Sequence, residues 1–111
     1  MTDETIKEVL AIFVEKAKEI YGAKLKKIIL YGSCARGDYG QDSDIDIMVL
    51  LDVTLEAIPE ERNKMLDVSD ELDQQYDVVL APVFQSYTLY ERYKHASVFF
   101  QNIEKEGVIF A

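Results

Sequence analysis

One cysteine, Cys34, and one histidine, His95, are all that the 111 residues hold of these types, and prolines number only two. A lone cysteine excludes an internal disulfide and a zinc site built from a cysteine cluster of one chain. No apolar stretch approaches the ~20 residues that span a bilayer, and charge begins at Asp3, so neither a transmembrane helix nor a secretory leader is read. A cytoplasmic protein with no membrane partner is expected. Basic residues are scarce too: 12 Lys and Arg face 21 Asp and Glu, a formal net charge of −9. The deficit is local. Residues 1–31 carry six basic and five acidic groups, residues 32–77 three and thirteen, and residues 78–111 three of each. Duplex binding draws its affinity from Lys and Arg on phosphates, so this acidic middle argues against direct DNA binding. It suits a seat for cations, a solvated acidic helix, or both.

The 49% hydrophobic share lies in the globular range. Size scaling gives a folded surface of roughly 6,000 Å² with about two-thirds of the extended chain's surface buried, enough for one core and not two. Without repeat, low-complexity tract or linker, residues 1–111 read as a single domain. Ile6, Val9, Leu10, Phe13, Val14, Ala17, Ile20 and Tyr21 recur at steps of three and four, which predicts an amphipathic helix ended by Gly22. Leu25–Tyr31 and Asp44–Leu51 read as short buried strands. Pro59 begins a helix running to about Gln75, with Ile58, Met65, Leu66, Ser69 and Leu72 inward and acids outward. Tyr76–Val83 reads as a third strand in which Pro82 disfavours a central position. Helices over Ser86–Lys94 and Ala96–Glu106 follow, the second closed by Gly107 as a left-handed cap, before an apolar tail, Val108–Phe110, that fits a last strand. The order indicates an α/β domain.

The connection between the first two strands holds the chemistry. Gly32 and Gly37 have the glycine spacing of a P-loop, but Asp38 and Tyr39 stand where that motif needs Lys and Ser or Thr. Asp42, Asp44 and Asp46 imitate an EF-hand, yet Ile47 and Val53 occupy its glycine and glutamate positions. A third reading uses every residue. A strand ending in Gly32-Ser33 and turning into a short helix presents N–H groups and a hydroxyl to an anion, a seat for a triphosphate. Asp44 and Asp46 alternate onto one face, roughly 6.6 Å apart along the chain. Paired carboxylates repel unless cations bridge them, and two Mg²⁺ ions held with substrate phosphates stabilise an in-line phosphoryl displacement. Asp77, at the start of the third strand, would complete the set.

Gly32-Ser33, ten residues, Asp44-x-Asp46, then Asp77 resembles the signature of the DNA polymerase beta nucleotidyltransferase superfamily. The string GSCARGDYGQDSDIDIMVL, with QNIEKEGVIF, is similar to the minimal MNT-type nucleotidyltransferases, antitoxin partners of HEPN toxins. The resemblance covers nearly the whole chain. It implies a nucleotidyltransferase fold, a small mixed β-sheet with helices packed on it. It also implies ATP with Mg²⁺, two ions, and transfer of AMP to a hydroxyl of the partner toxin, a tyrosine in this family. On that footing Gly32 and Ser33 meet the β and γ phosphates, Asp44 and Asp46 bridge the metals, and Asp77 holds the catalytic metal near the acceptor hydroxyl and helps remove its proton. Arg36 either reaches a phosphate oxygen or pairs with Asp38 or Asp42 to fix the loop.

Other residues take plainer roles. Asp38, Asp42 and Asp52 are turn formers. Cys34 lacks a nearby base and reads as structural, and His95 as a linker residue between the last two helices. Tyr87, Tyr90 and Tyr93 form a stripe that packs on the sheet or docks a partner. The acids from Glu56 to Asp73 form a solvated helix face. Two further functions remain open beside protein adenylylation: an antitoxin acting by steric occlusion alone, and transfer to a small molecule or RNA, which 111 residues leave little mass to accommodate. The oligomeric state is open, self-association included.

Overall fold

In the computed structural model, which describes residues 1–111, the Thr2 hydroxyl accepts the Thr5 N–H at 3.1 Å and starts α1, Asp3–Tyr21. Asp3 and Glu4 in its first turn and Lys18 in its last complement the helix dipole, and Gly22 ends it with an N–H bond to the Lys18 carbonyl. Its inner stripe is the expected one: Ile6, Val9, Leu10, Phe13, Val14, Ala17 and Tyr21 are buried. The remaining elements are β1 (Leu25–Tyr31), α2 (Ser33–Arg36), β2 (Ile45–Leu51), α3 (Ile58–Asn63), α4 (Leu66–Tyr76), β3 (Leu80–Ser86), α5 (Tyr87–Tyr93), α6 (Val98–Glu106) and β4 (Val108–Ile109).

The sheet runs β3-β2-β1-β4 and is mixed. β1 is antiparallel to β2 and to β4, while β2 is parallel to β3. Strand alternation sends Ile28 and Leu30 of β1 and Ile45, Ile47, Val49 and Leu51 of β2 into the larger core under α1 and α4. Ile29, Tyr31, Met48 and Leu50 face the other way, against Tyr90, Phe100 and Ile103 of α5 and α6. Both central strands are covered on both sides, which is why they read as continuous apolar runs. The folded surface is 6428 Å², close to the size expected from the mass, but the buried apolar residues form two clusters, one on each side of the sheet, where one core was expected. No helix is long and apolar enough to cross a membrane.

Several boundaries differ from the sequence reading. β2 starts at Ile45, so Asp44 ends the loop instead of opening the strand. The helix expected over Pro59–Gln75 breaks at Lys64 and Met65 into α3 and α4; Met65 turns into the core, and Leu66, expected inside, is 49% exposed. The third strand starts at Leu80 rather than Tyr76 and runs on to Ser86, paired with Leu51. Asp77 is therefore not a strand residue. It caps α4 in the left-handed region (φ 52°), and the Asp73 carboxylate accepts the Leu80 N–H at 2.8 Å to hold the turn from helix to strand. Pro82 lies within β3, an edge strand, where a missing N–H costs least.

Gly107 caps α6 where expected, its N–H on the Ile103 carbonyl, but not in the expected conformation. Its backbone is extended (φ −68°, ψ 148°), not left-handed. A Cβ there would run into the Ile103 carbonyl and the Ile29 side chain, so glycine is required by the close approach of α6 to β1. Gly107→Ala is expected to destabilise the fold by about 1–3 kcal/mol, while Gly40→Ala, whose Cβ meets nothing, leaves the urea midpoint unchanged.

Candidate functional site

Tyr31, the last residue of β1, pairs with Asp46 of β2. Because the two strands are antiparallel neighbours, the chain that leaves the sheet at Gly32 returns at Asp44. The interval between Gly-Ser and the two aspartates is therefore the length of one loop, which folds back on its own start. Gly32 has φ 74°, and a Cβ built on it would collide with the Asp46 carboxylate. Two separate constraints thus demand glycine here, and they put the loop backbone directly on the acid.

Past Gly32, its carbonyl accepts the N–H groups of Ala35 and Arg36 at 3.1 and 3.0 Å, and the Ser33 carbonyl accepts those of Gly37 and Asp38. Ser33 opens α2, so its own N–H has no partner within the helix. The buried Cys34 thiol donates to the Asp44 carbonyl at 3.5 Å, which ties α2 to the start of β2. Burial, with Asp46 and Asp44 nearby, pushes that thiol up, so the cysteine is structural as its lack of a base suggested. The returning loop is closed by the Ser43 hydroxyl, which accepts the Gly40 N–H at 2.9 Å, and by the Tyr39 hydroxyl on Asp3.

Asp46 is half-buried and Asp44 exposed. Burial pushes the Asp46 carboxyl up and Asp44 adds to it, while Arg36 opposes them. Tyr31 is pushed up to about 12 by burial and by Asp46. Burial is the larger cause of both shifts, and the neighbouring carboxylates add to it. Asp77 is exposed and lines a cleft of about 450 Å³ with Met1, Gln41, Asp42, Ser43, Val78 and Val79. No three acidic, histidine or cysteine side chains converge as a ready-made metal cluster. The structure brings Gly32, Ser33, Asp44 and Asp46 together, while Asp77 lines the cleft that Ser43 shares.

Arg36 does pair within the loop, its Nε donating to Asp38 at 3.1 Å, and not with Asp42. Its second partner, Glu106, was not foreseen: Arg36 Nη1 donates to Glu106 Oε2 at 2.9 Å, and the Gly32 N–H donates to Glu106 Oε1 at 3.2 Å. Asp73 was also missed; it is close enough to feel Asp44. Both acids stand in the last turn of a helix, where negative charge opposes the dipole, and that anomaly was readable. Of the tyrosine stripe, Tyr90 is buried and donates to Glu104 at 2.6 Å, whereas Tyr93 is 47% exposed. Tyr93, Val98 and Phe99 form an exposed apolar corner, and Phe99 meets Tyr31 edge-on at 5.6 Å, one strand from Asp46. His95 is exposed in the α5–α6 connection, as a linker residue would be.

Residues 6–108 match the nucleotidyltransferase domain family. Two relatives from Methanocaldococcus jannaschii carry the name "Putative protein adenylyltransferase". One, MJ0604, is 36% identical over 95% of this chain and 93% of its own length; the other, MJ0141, is 29% identical over 91% and 94%. Among solved structures, a toxin-antitoxin crystal structure with AMP-PNP superposes with a TM-score of 0.56 at 23% identity, covering 87% of this chain and 68% of that one. A mutant of the toxin-antitoxin MntA-HpeT superposes with a TM-score of 0.51 at 26% identity over 88% and 68%.

The raised Asp46 carboxyl has a consequence for stability without ligand. The folded protein holds that proton more tightly than the unfolded chain, so Asp46 costs stability as pH rises from the ordinary carboxylate range through its raised value. Asp46→Asn is expected to show a higher urea midpoint than wild type at neutral pH, with the gap closing toward pH 4.

Proposed function

The chain belongs to the nucleotidyltransferase domain family and is a nucleotidyltransferase, and from that premise we propose that it transfers AMP from ATP, with Mg²⁺, to a hydroxyl of a partner toxin and so acts as an antitoxin. The observation that carries this is the contact of the Gly32 backbone with the Asp46 carboxylate. It makes the phosphate-binding turn and the acidic pair one unit, so a nucleotide seated on Gly32 and Ser33 places its phosphates beside Asp44 and Asp46. Relatives named as protein adenylyltransferases support a protein acceptor, and toxin-antitoxin neighbours support a toxin.

The acidic pair fits Mg²⁺: both donors are hard carboxylate oxygens, Asp46 has Asp44 as a like-charged neighbour, and this ion takes one or two carboxylates together with phosphates. Bound by Asp44 and Asp46, the ion would supply the charge that lets a polyanion approach two aspartates. In the reaction, the acceptor oxygen bonds to the α-phosphorus, the bond to the β-phosphate oxygen breaks, and pyrophosphate leaves. Gly32 and Ser33 hold the departing phosphates through N–H and hydroxyl groups. Asp77 lines the cleft that begins at Ser43 beside Asp44, and we assign it to the acceptor side, where a carboxylate takes the hydroxyl proton. Phe99 and its exposed apolar neighbours offer a protein surface next to the site, which favours a tyrosine-bearing HEPN-type partner over a small molecule.

Incubation with α-labelled ATP, Mg²⁺ and the product of the neighbouring gene is expected to label that product. Asp44→Asn and Asp46→Asn should each lower labelling on the order of 10²-fold or more, and Asp77→Asn by about 10²-fold through the lost base. Tight complex formation without label would instead make the chain an occluding antitoxin, and wild-type rates in Asp46→Asn and Asp77→Asn would overturn the assignment.

A further inference from the structure

Glu106 is the last residue of α6, 74 residues from Gly32 and 70 from Arg36, yet one of its oxygens accepts the Gly32 N–H and the other the Arg36 guanidinium. Two donors from one loop thus converge on a single carboxylate delivered from the opposite end of the chain. The carboxylate is held on both sides. Before it, Ile103 and Phe100 anchor α6 in the smaller core; after it, Gly107 is wedged against Ile29, and β4 pairs Val108 and Ile109 with Leu30 and Ile29. Glu106 therefore reaches the loop by construction of the fold and not as a wandering surface side chain.

A carboxylate on these donors adds to an already acidic corner. Glu106 lies near enough to Asp46 to push that carboxyl further up, so a third negative group is kept where two already repel. What holds it there is the pair of donors. Resting on the reading that Gly32 and its loop bind nucleotide phosphates, we infer that Glu106 is a positioning residue that stands in for a phosphate group: it keeps the Gly32 N–H and Arg36 aligned in the empty site and is exchanged for a phosphate oxygen when nucleotide binds. Both anions need the same N–H and the same guanidinium edge, and both cannot have them. The carboxylate is intramolecular and needs no association, so it occupies the donors in the absence of nucleotide. A polyphosphate brings more charge and displaces it. Glu106 accordingly sets how tightly nucleotide binds without taking part in the transfer.

The test uses the intact chain and a non-hydrolysable ATP analogue with Mg²⁺, titrated calorimetrically. Glu106→Gln keeps the size and removes the charge, and is expected to tighten analogue binding about fivefold, with KM for ATP falling to match and kcat little changed. Glu106→Ala should tighten binding in the same direction. The backbone amide resonance of Gly32 gives an independent readout: it should shift on Glu106→Gln without nucleotide, and addition of analogue should bring wild type and variant to the same position. Unchanged or weaker analogue binding in both variants overturns the inference, as does a Gly32 amide indifferent to the substitution. If no form of the chain binds the analogue while the Gly32 amide still responds to Glu106→Gln, the nucleotide reading itself fails, and the stand-in role falls with it.

Discussion

The contact between the Gly32 backbone and the Asp46 carboxylate is the constraint on which the site depends. It follows from the pairing of Tyr31 with Asp46: once those residues are partners, the chain leaving β1 and the chain entering β2 lie side by side, and the acid faces the turn. Any side chain at Gly32 would be driven into Asp46, and the positive φ there would strain it besides. Asp44, Cys34 and Ser33 are placed by the same loop closure. The larger core under α1 and α4 and the smaller core under α5 and α6 serve to hold these two central strands in register.

That arrangement works against stability in the absence of ligand. Asp46 is buried enough to be pushed up, has Asp44 as a like-charged neighbour and receives only partial relief from Arg36. A carboxylate pushed up in this way marks a candidate functional site. The charge distribution of the chain has its explanation in this corner and in the exposed acids of α3 and α4, two separate contributions to one acidic middle.

Much of the fold was legible because local pattern and burial agreed. α1 has the stripe its sequence advertises, and β1 and β2 are apolar on both faces because both faces are covered. Legibility failed where a single side-chain contact decides a boundary or a conformation. Asp77 sits in an apolar-looking run, YDVVL, yet α4 extends to Tyr76 and the Asp73 carboxylate takes the Leu80 N–H, so the strand starts three residues later. Gly107 does cap α6, as its position suggested, but in an extended conformation; what demands glycine is the closeness of the Ile103 carbonyl and of Ile29, 78 positions earlier.

By itself, then, the sequence determined the α/β class, the loop with its glycine, serine and two aspartates, and the family resemblance. Those depend on periodicity and on spacing across one loop, both local properties. Tertiary structure decided the rest: that Asp77 lines a cleft with Ser43, that Arg36 faces Glu106, and that an acid from the last helix lies on the turn at Gly32. Contacts spanning 70 residues or more leave no period in a sequence. They exist only because the β4–β1 pairing and the close packing of Gly107 bring the end of the chain back to the loop.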